Sequence, residues 1–232
     1  MSVERLVYDR GIADTRATLE RWRGDAWPVL RRWVAVSGAT AVLLLAAVLV
    51  VARLETPDAT PLPLPGTQGG SPAEAVAGIL GRNLLVLALH AMACVAGFMA
   101  GASMPQLAAA RTGLARAIHE RAARFAILFV IAATLFSLGT QAYVLGSLTS
   151  TLSAQYHVAP AVLLVGLLPH ALPELTALFL PLAAWTLASR RGEWNELLAA
   201  TFATTAIALP VLVASALVEV FVSPHLLLAL IA

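Results

Sequence analysis

The sequence has few charged side chains, no lysine and almost no cysteine. Charged residues make up 12% of its 232 residues, against roughly a quarter in soluble domains. All 15 cationic side chains are arginines, and the formal net charge is only +2. Such a composition excludes a soluble globular domain, and the near-neutral charge argues against nucleic acid as a partner. The single cysteine, Cys94, excludes a disulfide within the chain.

Apolar residues, by contrast, account for 59% of the chain, and they fall in runs of the ~20 residues that a helix needs to cross a bilayer. The predicted fold class is therefore all-α, a polytopic membrane protein with five transmembrane helices. The predicted spans are residues 34–52, 84–104, 125–148, 158–189 and 197–222. The lipid bilayer is accordingly the first predicted partner.

The predicted organisation has four parts. Residues 1–33 form a cytoplasmic amphipathic segment, and residues 34–54 hold the first transmembrane helix. Residues 55–82 form an extracytoplasmic linker rich in proline and glycine, and residues 83–232 form a four-span helical bundle. The boundaries follow the shifts in composition along the chain.

The arginines alternate in number between successive loops, which predicts the orientation. The counts, in chain order, are seven in residues 1–33, two in 53–83, four in 105–124, none in 149–157 and two in 190–196. Arginine-rich loops stay in the cytoplasm. The sequence therefore predicts a multi-pass protein of the cytoplasmic (inner) membrane, with a cytoplasmic N-terminus and an extracytoplasmic C-terminus.

The fourth apolar run is too long for one upright span. Its 32 residues would extend ~48 Å as a straight helix at 1.5 Å per residue. Pro169 and Pro173 each remove a helix hydrogen bond. We therefore predict that the fourth span is broken, between Gly166 and Glu174.

Glu174 and His170 in this run are the main candidates for an intramembrane polar site, together with Glu219 in the fifth span. A carboxylate in such an apolar stretch costs a few kcal/mol and normally faces a partner or trapped water. His170, four residues earlier, lies on the same helical face and within reach of a hydrogen bond. Helix breaks at Pro169 and Pro173 would bring the first turn of a new helix to Glu174.

Three interpretations of this polar site stay open. The first is a structural clasp between the fourth and fifth spans, and the second is a proton or ion path or a small-molecule site at the broken helix. The third is a metal site, for which one histidine and one glutamate are too few ligands. We predict no metal and no cofactor. His90, in the second span, is a possible further member, although a buried hydrogen-bonding role is the simpler interpretation.

Two segments resemble the stage II sporulation protein M family. Leu167-Leu-Pro-His-Ala-Leu-Pro-Glu-Leu-Thr-Ala-Leu178 is similar to its Pro-His-Gly-x-x-Glu-Leu-x-Ala signature. Ala214-Ser-Ala-Leu-Val-Glu-Val-Phe-Val-Ser-Pro224 is similar to its Ala-x-x-Glu-x-Phe-x-Thr-Pro ending. The resemblance covers about residues 75–232 and adds two candidate site residues, Asn83 and Gln141. Ala171 departs from the family pattern, in which glycine follows the histidine.

The resemblance implies a non-enzymatic scaffold or anchor in the membrane. The founding member of the family is similar to an anchor that recruits peptidoglycan-degrading enzymes. Membrane or envelope proteins are therefore predicted partners, and self-association is left open. No nucleotide loop, HExxH or Gly-x-Ser-x-Gly motif occurs in the sequence, so we predict that the chain is not an enzyme.

The alternative function is a transporter or channel-like component that uses His170 and Glu174 as a polar relay. A cavity that reaches Glu174 would favour this alternative. A dry, closed clasp would favour the scaffold.

Overall fold

The structure, a computed structural model, describes residues 3–63, 70–109 and 112–231. Every regular element in this part of the chain is helical, so the predicted all-α class is confirmed. The helices are α1 Val3–Gly24, α2 Trp27–Leu54, α3 Pro72–Phe98, α4 Met104–Ala109, α5 Gly113–Tyr156, α6 Pro160–Leu178, α7 Leu180–Arg191, α8 Leu197–Phe221 and α9 Ser223–Ile231. A π-helical turn, Met99–Ser103, and a 3-10 turn, Trp194–Glu196, complete the elements.

Five helical stretches of the described residues are long and apolar enough to cross a membrane, as predicted. They are Trp27–Leu54, Pro72–Ser103, Ile127–Tyr156, Pro160–Leu178 and Trp194–Phe221. In length and composition the chain is therefore a multi-pass membrane protein.

The helix that contains the first predicted span begins before residue 34. α1 ends at Gly24, and α2 begins at Trp27. Pro28 therefore lies in the first turn of α2, where a proline costs no hydrogen bond because the first backbone N–H groups have no partner within the helix. The predicted N-terminal segment is thus one separate helix followed by the start of the span.

The predicted linker, residues 55–82, is also shorter than expected, because α3 begins at Pro72. Ser71 and Glu74 form a capping box: the Ser71 N–H donates to Glu74 Oε2 at 3.0 Å, and the Glu74 N–H donates to Ser71 Oγ at 3.3 Å. Residues 64–69 of the predicted linker lie outside the described residues. The part before them contacts α5, where Gln155 exchanges two hydrogen bonds with the backbone of Leu62.

The fourth apolar run is divided in two, but the predicted position of the break is wrong. Helix α6 continues through Pro169 and Pro173 to Leu178, and the break lies at Phe179. A proline removes only the hydrogen bond of its own nitrogen, so a helix with tertiary support can continue past it. Pro181 lies in the first turn of α7, the position that a proline tolerates best.

The chain folds into two compact units, and neither is a continuous segment. Unit 1 comprises Met1–Ser37, Leu87–Thr134 and Phe179–Ile207, and unit 2 comprises Gly38–Val86, Leu135–Leu178 and Ala208–Ala232. The long helices α2, α3, α5 and α8 contribute residues to both units.

Unit 1 is packed around tryptophans. Trp33 is buried with Leu180, Ala184 and Ala200, and Trp22 meets it edge-on with 5.2 Å between ring centroids. Gly97 of α3 lies so close to Trp185 that a Cβ atom there would be 2.6 Å from Nε1. Only glycine allows this close approach of the α3 backbone.

Unit 2 has an aliphatic core formed by Leu152, Leu163 and Leu227. Gly146 of α5 lets α2 approach closely, since a Cβ atom there would lie 2.5 Å from Val51 Cβ. Gly166 of α6 does the same for α9, where Leu227 is its nearest neighbour. These two contacts bring α2 to α5 and α9 to α6.

Candidate functional site

A cavity of about 890 Å³ lies within unit 2. Its walls come from α2, α3, α5, α6 and α8 and from the segment before residue 64. Most lining residues are apolar, chiefly leucine, but several polar side chains lie among them. These are Glu74, Arg82, Asn83, Thr140, Gln141, Thr149, His170, Glu174 and Glu219.

Helix α6 presents both main sequence candidates to this cavity. His170 and Glu174 lie one helical turn apart, and because α6 is continuous at Pro173 they share a face. Glu219, near the end of α8, lines the same cavity. The structure therefore brings together His170, Glu174 and Glu219, the three residues predicted to form one polar site.

His170 pairs with a residue other than the predicted one. Its Nδ1 lies 2.6 Å from Ser223 Oγ at the start of α9, and both side chains are buried. The spacing of four residues along one helix had predicted Glu174 as the nearest partner. Ser223 instead reaches His170 because α9 folds back against α6 after α8 ends at Phe221.

Glu174 lies in an environment of charged and amide side chains. Glu219 and Arg82 are within electrostatic range of its carboxylate, and Asn83 lies beside it. Arg82 acts on Glu219 as well. Two carboxyl groups thus share the influence of one guanidinium group.

Three buried side-chain atoms in the described part of the chain have no hydrogen-bond partner within 3.5 Å, and two of them belong to residues that line this cavity. They are Glu174 Oε2, an acceptor, and Asn83 Nδ2, a donor. Asn83 is only 8% exposed. Buried polar atoms in folded proteins almost always have a partner. The Asn83 side chain lies within hydrogen-bonding range of the Glu174 carboxyl group, so the donor and the acceptor can satisfy each other.

Sequence reasoning missed Arg82 as a member of the site. In the sequence, Arg82 is one of the two arginines of the predicted loop 53–83, just before the predicted second span, residues 84–104. The available signal was the polar pair Arg82-Asn83, directly before a long apolar run. A basic residue at the end of a span is usually explained by membrane topology. That explanation gives no reason to expect Arg82 near Glu174.

The two remaining candidates differ in position. Gln141 lines the cavity, and its Nε2 donates to Ser137 Oγ at 3.0 Å. His90 belongs to unit 1, where its ring packs against Phe179 at 5.6 Å. His90 is therefore not one of the residues that line the cavity. Within the described residues, no group of three or more histidine, cysteine or acidic side chains could hold a metal ion.

The fold and this cavity define the chain as a multi-pass helical membrane protein with a polar site inside a membrane-spanning unit. Residues 122–224 match the family described as stage II sporulation protein M. This match confirms the resemblance seen in the two sequence segments. No curated protein and no solved structure gives a significant match to the chain.

The family match and the cavity overlap only in part. His170, Glu174, Glu219 and Gln141 lie inside the matched residues, whereas Arg82 and Asn83 precede them. The polar site therefore combines residues of the matched region with residues of α3.

Proposed function

We propose that this chain is a non-enzymatic component of membrane transport that binds a small molecule in the unit 2 cavity. The observation that carries the proposal is the cavity itself, which reaches Glu174 and is also lined by Glu219 and Arg82. Its volume of about 890 Å³ falls within the ~300–1,000 Å³ typical of small-molecule sites. Ionisable residues inside membrane spans commonly mark the paths of ions and substrates.

The arrangement fits binding better than a closed structural clasp. In a clasp, each buried polar group is paired with another group of the protein. His170 meets this condition through Ser223, whereas Glu174, Glu219 and Arg82 border a cavity of about 890 Å³. We therefore assign His170 to the support of α6 against α9. Glu174, Glu219, Arg82 and Asn83 are the proposed binding groups.

A scaffold role is the second candidate function. Of the 18 most apolar consecutive residues in the span Ile127–Tyr156, only 6% are buried by the rest of the chain. This helix therefore leaves its surface to lipid or to helices of another membrane or envelope protein. Peptidoglycan-degrading enzymes are the proposed class of partner under this candidate, as the family resemblance implies.

We also propose that the protein resides in the cytoplasmic membrane with its N-terminus inside. A Cys94→Ala background allows single cysteines to report the topology. Thr56→Cys should react with an impermeant thiol reagent in intact cells, whereas Thr112→Cys should react only after lysis. Both threonines are exposed, so the reverse pattern would contradict the proposed orientation.

The binding proposal is tested by the reactivity of a cysteine in the cavity. Ala171 lines the cavity and is partly buried, so Ala171→Cys in the Cys94→Ala background is a conservative reporter. In lipid nanodiscs it should react with water-soluble methanethiosulfonates, and faster with a cationic reagent than with an anionic one. Ala133→Cys, on the exposed apolar surface of α5, is the matched control and should react slowly with both.

A reaction at position 171 no faster than at position 133 would overturn the binding proposal and leave the scaffold. A fast reaction with equal rates for both reagents would contradict the proposed role of the two glutamates. Glu174→Gln should reduce the preference for the cationic reagent without closing the cavity.

A further inference from the structure

We infer that the unit 2 cavity binds an acyl chain of a phospholipid, which enters sideways from the bilayer between α3 and α5. This inference rests on the proposed binding function and specifies its ligand class. Three observations lead to it: the position of the cavity mouth, the apolar walls behind the mouth, and an arginine at its rim.

The mouth of the cavity lies between α3 and α5. On α3, the lining residues Gly78 and Arg82 are one helical turn apart, and both are exposed. On α5, the lining residues Val144 and Leu148 are 47% and 43% exposed. Val48 of α2, by contrast, is only 1% exposed, and every lining residue of α6 is buried or partly buried. The cavity is therefore closed by α2 and α6 and open along α3 and α5.

This mouth faces the bilayer, because both of its sides belong to membrane spans. The α3 side lies in the span Pro72–Ser103, and the α5 side lies in the span Ile127–Tyr156. Val144 is ~18 Å along α5 from Tyr156, at 1.5 Å per residue, so the mouth extends well into the ~30 Å hydrocarbon core. The molecules that surround such an opening are lipids, and a lipid chain can pass through it without contacting water.

The walls match an apolar chain. Leu45 and Val48 of α2 and Leu164 and Leu167 of α6 line the cavity of about 890 Å³. Protein interiors leave few voids larger than a water molecule, and apolar cavities stay dry but take up apolar ligands. An acyl chain leaves a lipid environment that is as apolar as leucine, and its atoms supply the dispersion contacts that the walls otherwise lack. A water-soluble molecule would first have to lose its hydration, so a lipid chain is the better match.

The rim offers a partner for the head group. Arg82 is exposed on the same side of α3 as Gly78, and a guanidinium group forms charge-assisted, bidentate hydrogen bonds with phosphate oxygens. A long arginine side chain can also extend from a span towards the level of the head groups. The inferred lipid therefore lies with its phosphate at Arg82 and with one chain behind Gly78.

The experiment maps where a photoreactive lipid contacts α6. Nanodiscs contain a phosphatidylcholine with a diazirine in the middle of one acyl chain, and mass spectrometry identifies the labelled residues after irradiation. We expect label on the cavity side of α6, defined by Leu167 and Leu175, which line the cavity. The outer side of α6, defined by Val165 and Leu168, is 56% and 38% exposed and should be labelled by ordinary contact with the bilayer.

Two glycines of α3 provide a variant that closes the mouth and its matched control. An added Cβ atom would lie in open space at Gly78 and at Gly81, but only the former of these two lines the cavity. Gly78→Phe should therefore remove most of the label from the cavity side of α6 and leave the outer side labelled. Gly81→Phe should leave both sides labelled. Unchanged label on the outer side shows that each variant is folded in the membrane.

A second pair of variants tests the role of the phosphate. Arg82→Gln should reduce the label that phosphatidylcholine leaves on the cavity side of α6. It should not reduce the label left by a diacylglycerol with the same photoreactive chain, which has no phosphate. The matched control is Arg53→Gln, at an exposed position of unit 2 that does not line the cavity, and it should change neither label.

The outcomes separate this inference from the proposed function. If only the outer side of α6 is labelled while Ala171→Cys reacts as proposed, the lipid is refuted and the binding cavity stands. If the cavity side is not labelled and Ala171→Cys does not react, the binding function itself fails. Equal label on the cavity side in Gly78→Phe and Gly81→Phe would refute entry between α3 and α5. An equal loss with both lipids in Arg82→Gln would refute the contact with the phosphate.

Discussion

Four long helices contribute residues to both unit 1 and unit 2, but the side chains on these helices pack differently in the two units. All five tryptophans lie in unit 1, where Gly97 of α3 lets the indole ring of Trp185 pack against the helix backbone. Unit 2 contains no tryptophan and keeps Glu174, Glu219 and Arg82 along an 890 Å³ cavity. The comparison indicates that the volume of the side chains, and not the arrangement of the helices, determines which unit has a packed interior and which has space for a ligand.

The largest expected effect is a loss of stability on adding a methyl group at Gly97, where Trp185 packs against the helix backbone. In Gly97→Ala, the new methyl group would meet Trp185 and Leu197, both buried, at less than 3 Å. We expect a loss of ~1–3 kcal/mol in the free energy of unfolding, which is typical of overpacking. Unfolding in mixed detergent micelles would measure it.

The matched control for this change lies in the same helix but in unit 2. Gly81→Ala would place its methyl group in open space and should be neutral or stabilise α3 by ~0.5–1 kcal/mol. Equal losses for the two glycines would show that unit 1 is not packed more tightly at α3 than unit 2.

The second prediction concerns the support of the cavity by His170. His170→Leu would leave the Ser223 hydroxyl, which is fully buried, without its partner. We expect a cost of ~1–3 kcal/mol. Adding Ser223→Ala should recover much of that loss, because no buried hydroxyl then remains unpaired. If the two single changes are additive in a double-mutant cycle, the hydrogen bond contributes nothing to stability.

The third prediction tests whether the buried carboxyl group of Glu174 lowers the free energy of unfolding. Glu174→Leu removes a buried oxygen without a partner and its repulsion from Glu219. The free energy of unfolding should rise by ~1 kcal/mol, since replacing poorly satisfied buried charges by apolar groups is often stabilising. The cationic preference at Ala171→Cys should disappear in the same variant. A marked loss of stability would instead identify Glu174 as part of a structural clasp.

The smallest expected effect lies in the loop between α2 and α3. Hydrogen bonds from the backbone N–H and hydroxyl of Thr60 lower the pKa of Asp58 below its usual value. This contribution to loop stability is complete above the usual aspartate pKa and is lost as pH falls through the lowered one. Hydrogen exchange at the Thr60 amide should therefore show less protection at the most acidic pH, and Asp58→Asn should make it nearly independent of pH. Unchanged protection in acid would contradict the role of the carboxylate.

Composition and the length of apolar runs determined the fold class and the number of spans. Both depend on the bilayer thickness and on the cost of an unpaired backbone group in lipid, which act on each segment by itself. The candidates His170, Glu174 and Glu219 could be found for the same reason, because a polar residue in an apolar run is visible without any tertiary contact. The two signature-like segments likewise allowed the family resemblance to be stated.

The tertiary structure alone decided how these residues are used. The fourth span breaks at Phe179 rather than at Pro173, because the energy of a proline within a helix depends on what packs around it. His170 takes Ser223 as its partner, a residue 53 positions away. Arg82 and Asn83 lie near Glu174 because α3 and α6 line the same cavity. Local sequence determines which segments enter a membrane, but the pairing of buried charges depends on contacts between helices that are distant in the chain.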